Sequence, residues 1–189
     1  MGMLEIFYPD ETADTSYGID YEALYRKGYR GLIYDVDNTL VPHGAPADDR
    51  AKALFERLHT IGFSAVLLSN NKEPRVKSFA EDVKYADYIF KADKPSVKGY
   101  EEAMRRMGTT KETTLFIGDQ LFTDVWGAKR SGIRSILVKP IHPKEEIQII
   151  FKRQLEKIVL HFYYRQKSRK ERRCKVKGRY GRQAHFRAC

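Results

Sequence analysis

Gly31-Leu32-Ile33-Tyr34-Asp35-Val36-Asp37-Asn38-Thr39-Leu40 begins as an apolar run and ends on two carboxylates. Such a run, bounded by polar residues, reads as a buried strand over residues 31–36. Outward from it the same pattern recurs at residues 64–69, 88–91, 113–118 and 134–138. Helical patterns fill the intervals. Residues 47–61 place Leu54, Leu58 and Ile61 at helical spacing and stop at Gly62, and residues 96–107 stop at Gly108. Buried strands that alternate with helices need crossover connections, which make the sheet parallel and cover both of its faces. The expected fold class is therefore α/β, a doubly wound parallel sheet.

In open parallel sheets ligands bind beyond the carboxyl ends of the strands, and the polar residues of this chain gather there. Asp35 and Asp37 end the first of these strands, Ser69 and Asn70 the second, Lys94 follows the third, and Asp119 and Asp124 follow the fourth. Side chains two apart on extended backbone point the same way, so Asp35 and Asp37 are expected to converge while Val36 points away. Two carboxylates this close repel each other, and a divalent cation is the natural way to keep one ionised.

A carboxylate is already ionised at neutral pH and can attack phosphorus without an activating base, giving an acyl phosphate that water cleaves. A second carboxylate then protonates the leaving alkoxide and later takes a proton from the water. Asp35 and Asp37 suit these two parts. Lys94 supplies a compact positive charge for a phosphoryl group, and the Ser69 hydroxyl with neighbouring N–H groups, Asn70 included, supplies donors. Asp119 and Asp124, within Gly118-Asp119-Gln120-Leu121-Phe122-Thr123-Asp124, complete the oxygen-rich ligand set that Mg²⁺ prefers. Gly118 is expected to allow a tight turn. Singly, each of these residues reads first as a turn former, a helix cap or a loop charge; their order and placement argue for a site.

The four segments resemble the four motifs of the haloacid dehalogenase (HAD) superfamily: Asp-x-Asp-x-Thr, a Ser or Thr after the second strand, a Lys, and Gly-Asp-x-x-x-x-Asp. The wording of the segments, DVDNTL, LSNN, KADKP and GDQLFTDVWGAKRSG, is similar to the YqeG-type branch of subfamily IIIA over roughly residues 1–145. The resemblance implies an Mg²⁺-dependent phosphatase with a HAD-like Rossmannoid fold. Asp35 would be nucleophile and metal ligand, and Asp37 general acid/base with its backbone carbonyl on the metal. Ser69, Asn70 and Lys94 would grip the phosphate. Asp119 would bind the metal directly, while Asp124 would be a ligand, directly or through water, or would orient Lys94. Many members carry an inserted cap, and the short intervals between these motifs leave no room for a sizeable one. An open site suits a phosphate projecting from something large. YqeG-like proteins are also similar to phosphatases of phosphatidylglycerophosphate, so the resemblance implies a lipid head group as substrate and a place in phospholipid biosynthesis.

The charge is distributed unevenly. The net charge is +10, yet from residue 152 onward 14 Lys and Arg face 2 Asp and Glu, so residues 1–151 are slightly acidic, 21 against 23. This divides the chain into an expected phosphatase domain at 1–145 and a basic segment at 146–189. In the latter, Ile147, Ile150, Phe151, Leu155, Ile158, Val159 and Phe162 recur at helical spacing among Lys152, Arg153, Lys157 and Arg165. Such a basic amphipathic helix either lies in an anionic membrane interface or packs its stripe on the domain. Residues 168–189 are arginine-rich and expected to order only on binding. Cys174 and Cys189 are too few and too peripheral for a disulfide framework or a zinc site. With no leader pattern and no long apolar run, the expected location is cytoplasmic, with peripheral contact on the inner face of the membrane. Two rival readings stay open: an RNA- or ribosome-binding protein acting through its tail, and a phosphatase of soluble nucleotides or metabolites. The oligomeric state is not legible.

Overall fold

The inner strands form where both faces of the backbone are apolar, and the two faces separate cleanly in three dimensions. The computed structural model describes residues 3–142 and 154–168. Six strands, β1 (Glu11–Ala13), β2 (Gly31–Tyr34), β3 (Ser64–Leu68), β4 (Asp87–Ile89), β5 (Thr114–Gly118) and β6 (Arg134–Val138), form one sheet in the order β1-β6-β5-β2-β3-β4. Every pairing is parallel. The connecting helices are α1 (Tyr21–Arg26), α2 (Asp49–Ile61), α3 (Glu73–Val83), α4 (Val97–Met107) and α5 (Trp126–Arg130). A final helix, α6, covers residues 154–168.

Leu32 and Tyr34 of β2 enter a core with Leu54, Phe55 and Leu58 of α2 and Phe79 of α3. Ile33, between them, faces the other way and packs with Phe116 of β5, Tyr100 of α4 and Ala128 of α5. This alternation is the period of two expected of a strand covered on both faces. Helix ends follow local chemistry: the Asp48 side chain accepts from the Ala51 N–H at 2.8 Å, and Gly62 closes α2 at φ 107°.

The sheet is wider and its strands shorter than the sequence suggests. The strand read at 31–36 ends at Tyr34; Asp35 N–H still donates to Ile117 O, and then Leu40 N–H donates to Val36 O as the chain turns, with Asn38 at φ 63°. The strand read at 88–91 is Asp87–Ile89, because Lys91 leaves the extended region at φ 45°. Edge strand β1 is an addition, fixed by its pairing with β6.

α6 packs on the body through Val159, which joins Leu121, Val125 and Leu137 in a third apolar cluster, and through Tyr163, whose ring meets Tyr8. Its other flank shows Leu155, Ile158 and Phe162 to solvent at 45%, 54% and 44% exposure. The stripe therefore divides: one part docks and one faces outward. Ile147, Ile150 and Phe151 of the expected helix lie outside the described residues, as do the arginine-rich stretch from residue 169, Cys174 and Cys189. Among the described residues no helix is long and apolar enough to cross a membrane.

Candidate active site

The parallel register brings the carboxyl ends of β2, β3 and β5 side by side, so residues far apart in sequence become neighbours. Lys94, buried, is the centre of the cluster: its Nζ donates to Asp35 Oδ1 at 2.6 Å and to Asp124 Oδ1 at 2.8 Å. Asp35, Asp119 and Asp124 are themselves buried, with carboxylate oxygens that lie within 4.8 Å of one another. Thr39 Oγ1 lies 3.5 Å from Asp35 Oδ2 and 3.3 Å from Asp119 Oδ1, between the two acids.

Burial raises the Asp35 carboxyl; Lys94 opposes this, and Asp124 and Asp37 add to it, so it ends at about 6. Burial would lower Lys94, but the carboxylates of Asp124 and Asp35 outweigh it and push the ammonium above its ordinary range. Three buried acids around one lysine leave surplus negative charge in a region of low dielectric, an arrangement a divalent cation would neutralise. The donor set, carboxylate oxygen throughout, fits a hard cation.

Asp37 is placed differently. Its carboxylate lies outside the three-acid cluster and accepts from Gly44 N–H at 2.8 Å, Asn71 Nδ2 at 2.5 Å and Arg75 Nη2 at 3.1 Å. Three donors from two chain segments fix its orientation. Ser69 is buried at the tip of β3, its hydroxyl accepting from Asn71 N–H. The Asn70 side chain bridges to the Lys94 backbone, with Lys94 N–H donating to Oδ1 at 2.7 Å and Nδ2 donating to the Lys94 carbonyl at 3.3 Å. Asn70 thus sets the position of the loop from which Lys94 enters the site.

Gly118 is needed for room rather than for a turn. Its φ is not positive, but a Cβ there would lie 2.5 Å from Asp124 Oδ2, so the acid occupies the space a side chain would fill. The acid is further held by Gln120 N–H, which donates to Oδ2 at 3.1 Å. Tyr100, fully buried on α4, directs its hydroxyl at the Thr123 and Asp124 carbonyls. The chain passes from Leu121 to Val125 as a single π turn, which carries Asp124 back under the strand end.

Sequence reading missed Asn71 and Arg75 as partners of Asp37, Tyr100 as the support of the Asp124 segment, and Glu156. The last is buried on α6 and accepts from Leu121 N–H at 2.7 Å. Asn71 and Arg75 had one signal, their place just past the tip of β3.

The chain is 39% identical over 157 residues to the Bacillus subtilis protein named "Probable phosphatase YqeG", a match covering 82% of this chain and 91% of that one. It belongs to the YqeG-type phosphatases of the HAD superfamily. The HAD-hydrolase-like family model matches residues 92–147. At 29% identity the chain is also similar to phosphatidylglycerophosphate phosphatase 1 of Arabidopsis thaliana and of Chlamydomonas reinhardtii, over 75% and 73% of its own length. It spans only 43% and 55% of those two longer proteins. Among solved structures, an uncharacterized protein from Listeria monocytogenes serotype 4b aligns with TM-score 0.50 at 18% identity, over 62% of this chain and 84% of that one. A hypothetical protein from Xanthomonas campestris aligns with TM-score 0.50 at 14% identity, over 69% and 76%. Both likenesses are of fold. The YqeG-type assignment makes the chain an enzyme, a phosphatase, and the cluster of acids around Lys94 lies beyond the carboxyl ends of the strands, where open parallel sheets bind ligands.

Proposed function

We propose that this phosphatase hydrolyses the terminal phosphomonoester of phosphatidylglycerophosphate, with Asp35 as nucleophile, Asp37 as general acid/base and Mg²⁺ as cofactor. The observation that carries the mechanism is the meeting of Asp35, Lys94, Asp119 and Asp124 at one edge of the sheet. An Asp35 oxygen attacks phosphorus, the bond from phosphorus to the leaving oxygen breaks, and Asp37 gives that oxygen its proton. Water then attacks the phosphoaspartate, Asp37 takes the water proton, and inorganic phosphate leaves with Asp35 regenerated. Lys94 faces the phosphoryl charge throughout, set by Asn70, while the Ser69 hydroxyl and nearby N–H groups meet the phosphoryl oxygens. Asp35, Asp119, Asp124 and the Asp37 carbonyl would hold Mg²⁺, which when bound draws charge from the phosphoryl oxygens.

Three observations favour a lipid substrate. The relatives from Arabidopsis and Chlamydomonas are named for that substrate. No sizeable insertion separates the site segments, so a bulky ester can approach. Leu155, Ile158 and Phe162 form an exposed apolar stripe on α6, and Lys157 and Arg165 are exposed on the same helix, a pattern suited to the surface of an anionic membrane. Peripheral contact with the cytoplasmic face follows from this reading. The test is phosphate release with Mg²⁺ from phosphatidylglycerophosphate in anionic vesicles, set against nucleotides and sugar phosphates. The lipid should have the highest kcat/KM; efficient turnover of soluble esters with none of the lipid would refute the assignment.

A further inference from the structure

Asp119 and Asp124 stand at the two ends of one short segment, and part of what fixes that segment reaches it from outside the catalytic cluster. Asp119 follows directly on β5, and Leu121–Val125 then forms the π turn that carries Asp124. Such a turn begins with backbone N–H groups that have no partner within it. The residue before it, Gln120, gives no side-chain cap; its amide oxygen accepts instead from the Thr123 hydroxyl at 3.2 Å. Gln120 N–H is taken by Asp124 Oδ2. The next donor, Leu121 N–H, is met by Glu156 Oε1 at 2.7 Å, from a residue 35 positions further along the chain.

A carboxylate is a costly residue at this place on α6. The inward positions of the helix run Glu156, Val159, Leu160 and Tyr163, one face at helical spacing. Val159 and Leu160 pack with Leu121 and Val125, and Tyr163 meets Tyr8. An apolar side chain at 156 would continue that face and hold the helix at least as well, because a buried carboxylate gives up its hydration. Glu156 is only 5% exposed. Its bond to Leu121 N–H therefore does something that docking does not require.

Other contacts close around the outer side of the same turn. The Phe7 ring lies 5.0 Å from Phe122 and 5.4 Å from Trp126 between centroids. Lys129 Nζ donates to the Glu5 and Tyr8 carbonyls at 2.9 and 2.6 Å, and Gln166 Nε2, from α6, donates to Glu5 Oε1 at 2.9 Å. These hold the flanks of the turn. Glu156 holds its backbone at a point between the two acids, while its own carboxylate stays outside the cluster of Asp35, Asp119 and Asp124.

We propose that Glu156 is a positioning residue for the metal site: by holding Leu121 N–H it sets the path of the chain from Asp119 to Asp124, so that both carboxylates face one Mg²⁺. The basic C-terminal helix is then a working part of the enzyme, because its docking completes the geometry of the acids. The proposal rests on the reading of Asp119 and Asp124 as Mg²⁺ ligands.

The experiment compares, in the full chain, Glu156→Gln, which keeps an acceptor oxygen, with Glu156→Met, which keeps the length of the side chain and removes the acceptor. Mg²⁺ binding is measured by calorimetry, and amide exchange over residues 119–125 in EDTA by mass spectrometry. Groups that orient metal ligands without touching the metal change its affinity about 10–100-fold when removed, so Glu156→Met should bind Mg²⁺ about 10-fold or more weakly, with faster exchange across the segment, and Glu156→Gln should stay within about 3-fold of wild type. Glu156→Asp, whose shorter stem withdraws the carboxylate from Leu121 N–H, should follow Glu156→Met and gives the same reading if the Met variant does not fold. Val159→Ala loosens the docking of α6 and leaves the hydrogen bond in place, so it should lower the melting temperature and keep the affinity for Mg²⁺. Wild-type affinity in a folded Met or Asp variant, a Gln variant as weak as the Met variant, or an equal loss in Val159→Ala overturns the positioning role. Asp119→Asn separates the two levels: if it binds Mg²⁺ like wild type, the ligand reading falls and the proposal with it, whereas loss there beside full binding in Glu156→Met removes the proposal alone.

Discussion

Lys94→Met tests the electrostatic frame of the site without reference to any substrate. Met keeps the length of the stem and removes the charge, leaving Asp35 and Asp124 without the ammonium that now stands 2.6 and 2.8 Å away. The side chains of Lys94 and Asp124 are 3% and 1% exposed and that of Asp35 is 10% exposed, so water cannot replace the lost partner. Removing one member of a buried pair typically costs about 3–5 kcal/mol, most of it from the charge left behind. For a chain of this size that is a fall in Tm of roughly 6–20 °C. The assay is thermal and urea unfolding in EDTA, with Asp124→Asn and the double variant completing a cycle. Because Asp124→Asn removes one of the two stranded acids, the double variant should be more stable than the sum of the single losses predicts, by about 1–3 kcal/mol. Additive losses, or a Lys94→Met loss under about 1 kcal/mol, the value of a solvated pair, would refute the claim that Lys94 is the buried counter-charge of these acids.

Gly118→Ala should displace the Asp124 carboxylate, since the new methyl would lie 2.5 Å from Oδ2 and 2.7 Å from Phe116 Cε1; a destabilisation of about 1–3 kcal/mol is expected, with weaker Mg²⁺ binding by calorimetry, and a variant equal to wild type in both contradicts the steric account. In EDTA, Asp35 makes stability pH-dependent. Its carboxyl is raised from 3.8 to about 6 by burial, so the folded protein binds this proton more tightly than the unfolded chain, and the contribution is full at low pH and lost as pH rises through about 6. The Tm of Asp35→Asn relative to wild type should therefore climb across that window, and a difference that is flat with pH counts against the burial argument.

The centre of the sheet was legible because β2, β3, β5 and β6 are buried on both faces and therefore appear as apolar runs with polar residues at their ends. β1 was not: Glu11-Thr12-Ala13 has no apolar pattern, and only its register with Ile136, Leu137 and Val138 makes it a strand. Candidate site residues that extend directly from strand tips, Asp35, Ser69 and Asp119, could be given a position from the local pattern. Partners that reach the site across tertiary space could not. Arg75, on α3, meets Asp37, 38 residues away in the chain, and Glu156 meets Leu121 only once α6 has docked. Gly118 carries a related lesson, since a glycine read as a turn former proves to be space reserved for a distant carboxylate. The apolar stripe of α6 was visible as a period, but its division into a docked side with Val159 and Tyr163 and an outward side with Leu155, Ile158 and Phe162 depends on where the helix lies.

The turnover number of Asp35→Asn, measured with saturating Mg²⁺ on an activated phosphomonoester, bears most directly on the central claim. An amide at this position cannot form the phosphoaspartate, so kcat should fall by more than about 10³-fold, the scale on which loss of a covalent nucleophile is felt. Turnover within a factor of about ten of wild type, in a variant that still folds, would contradict the account.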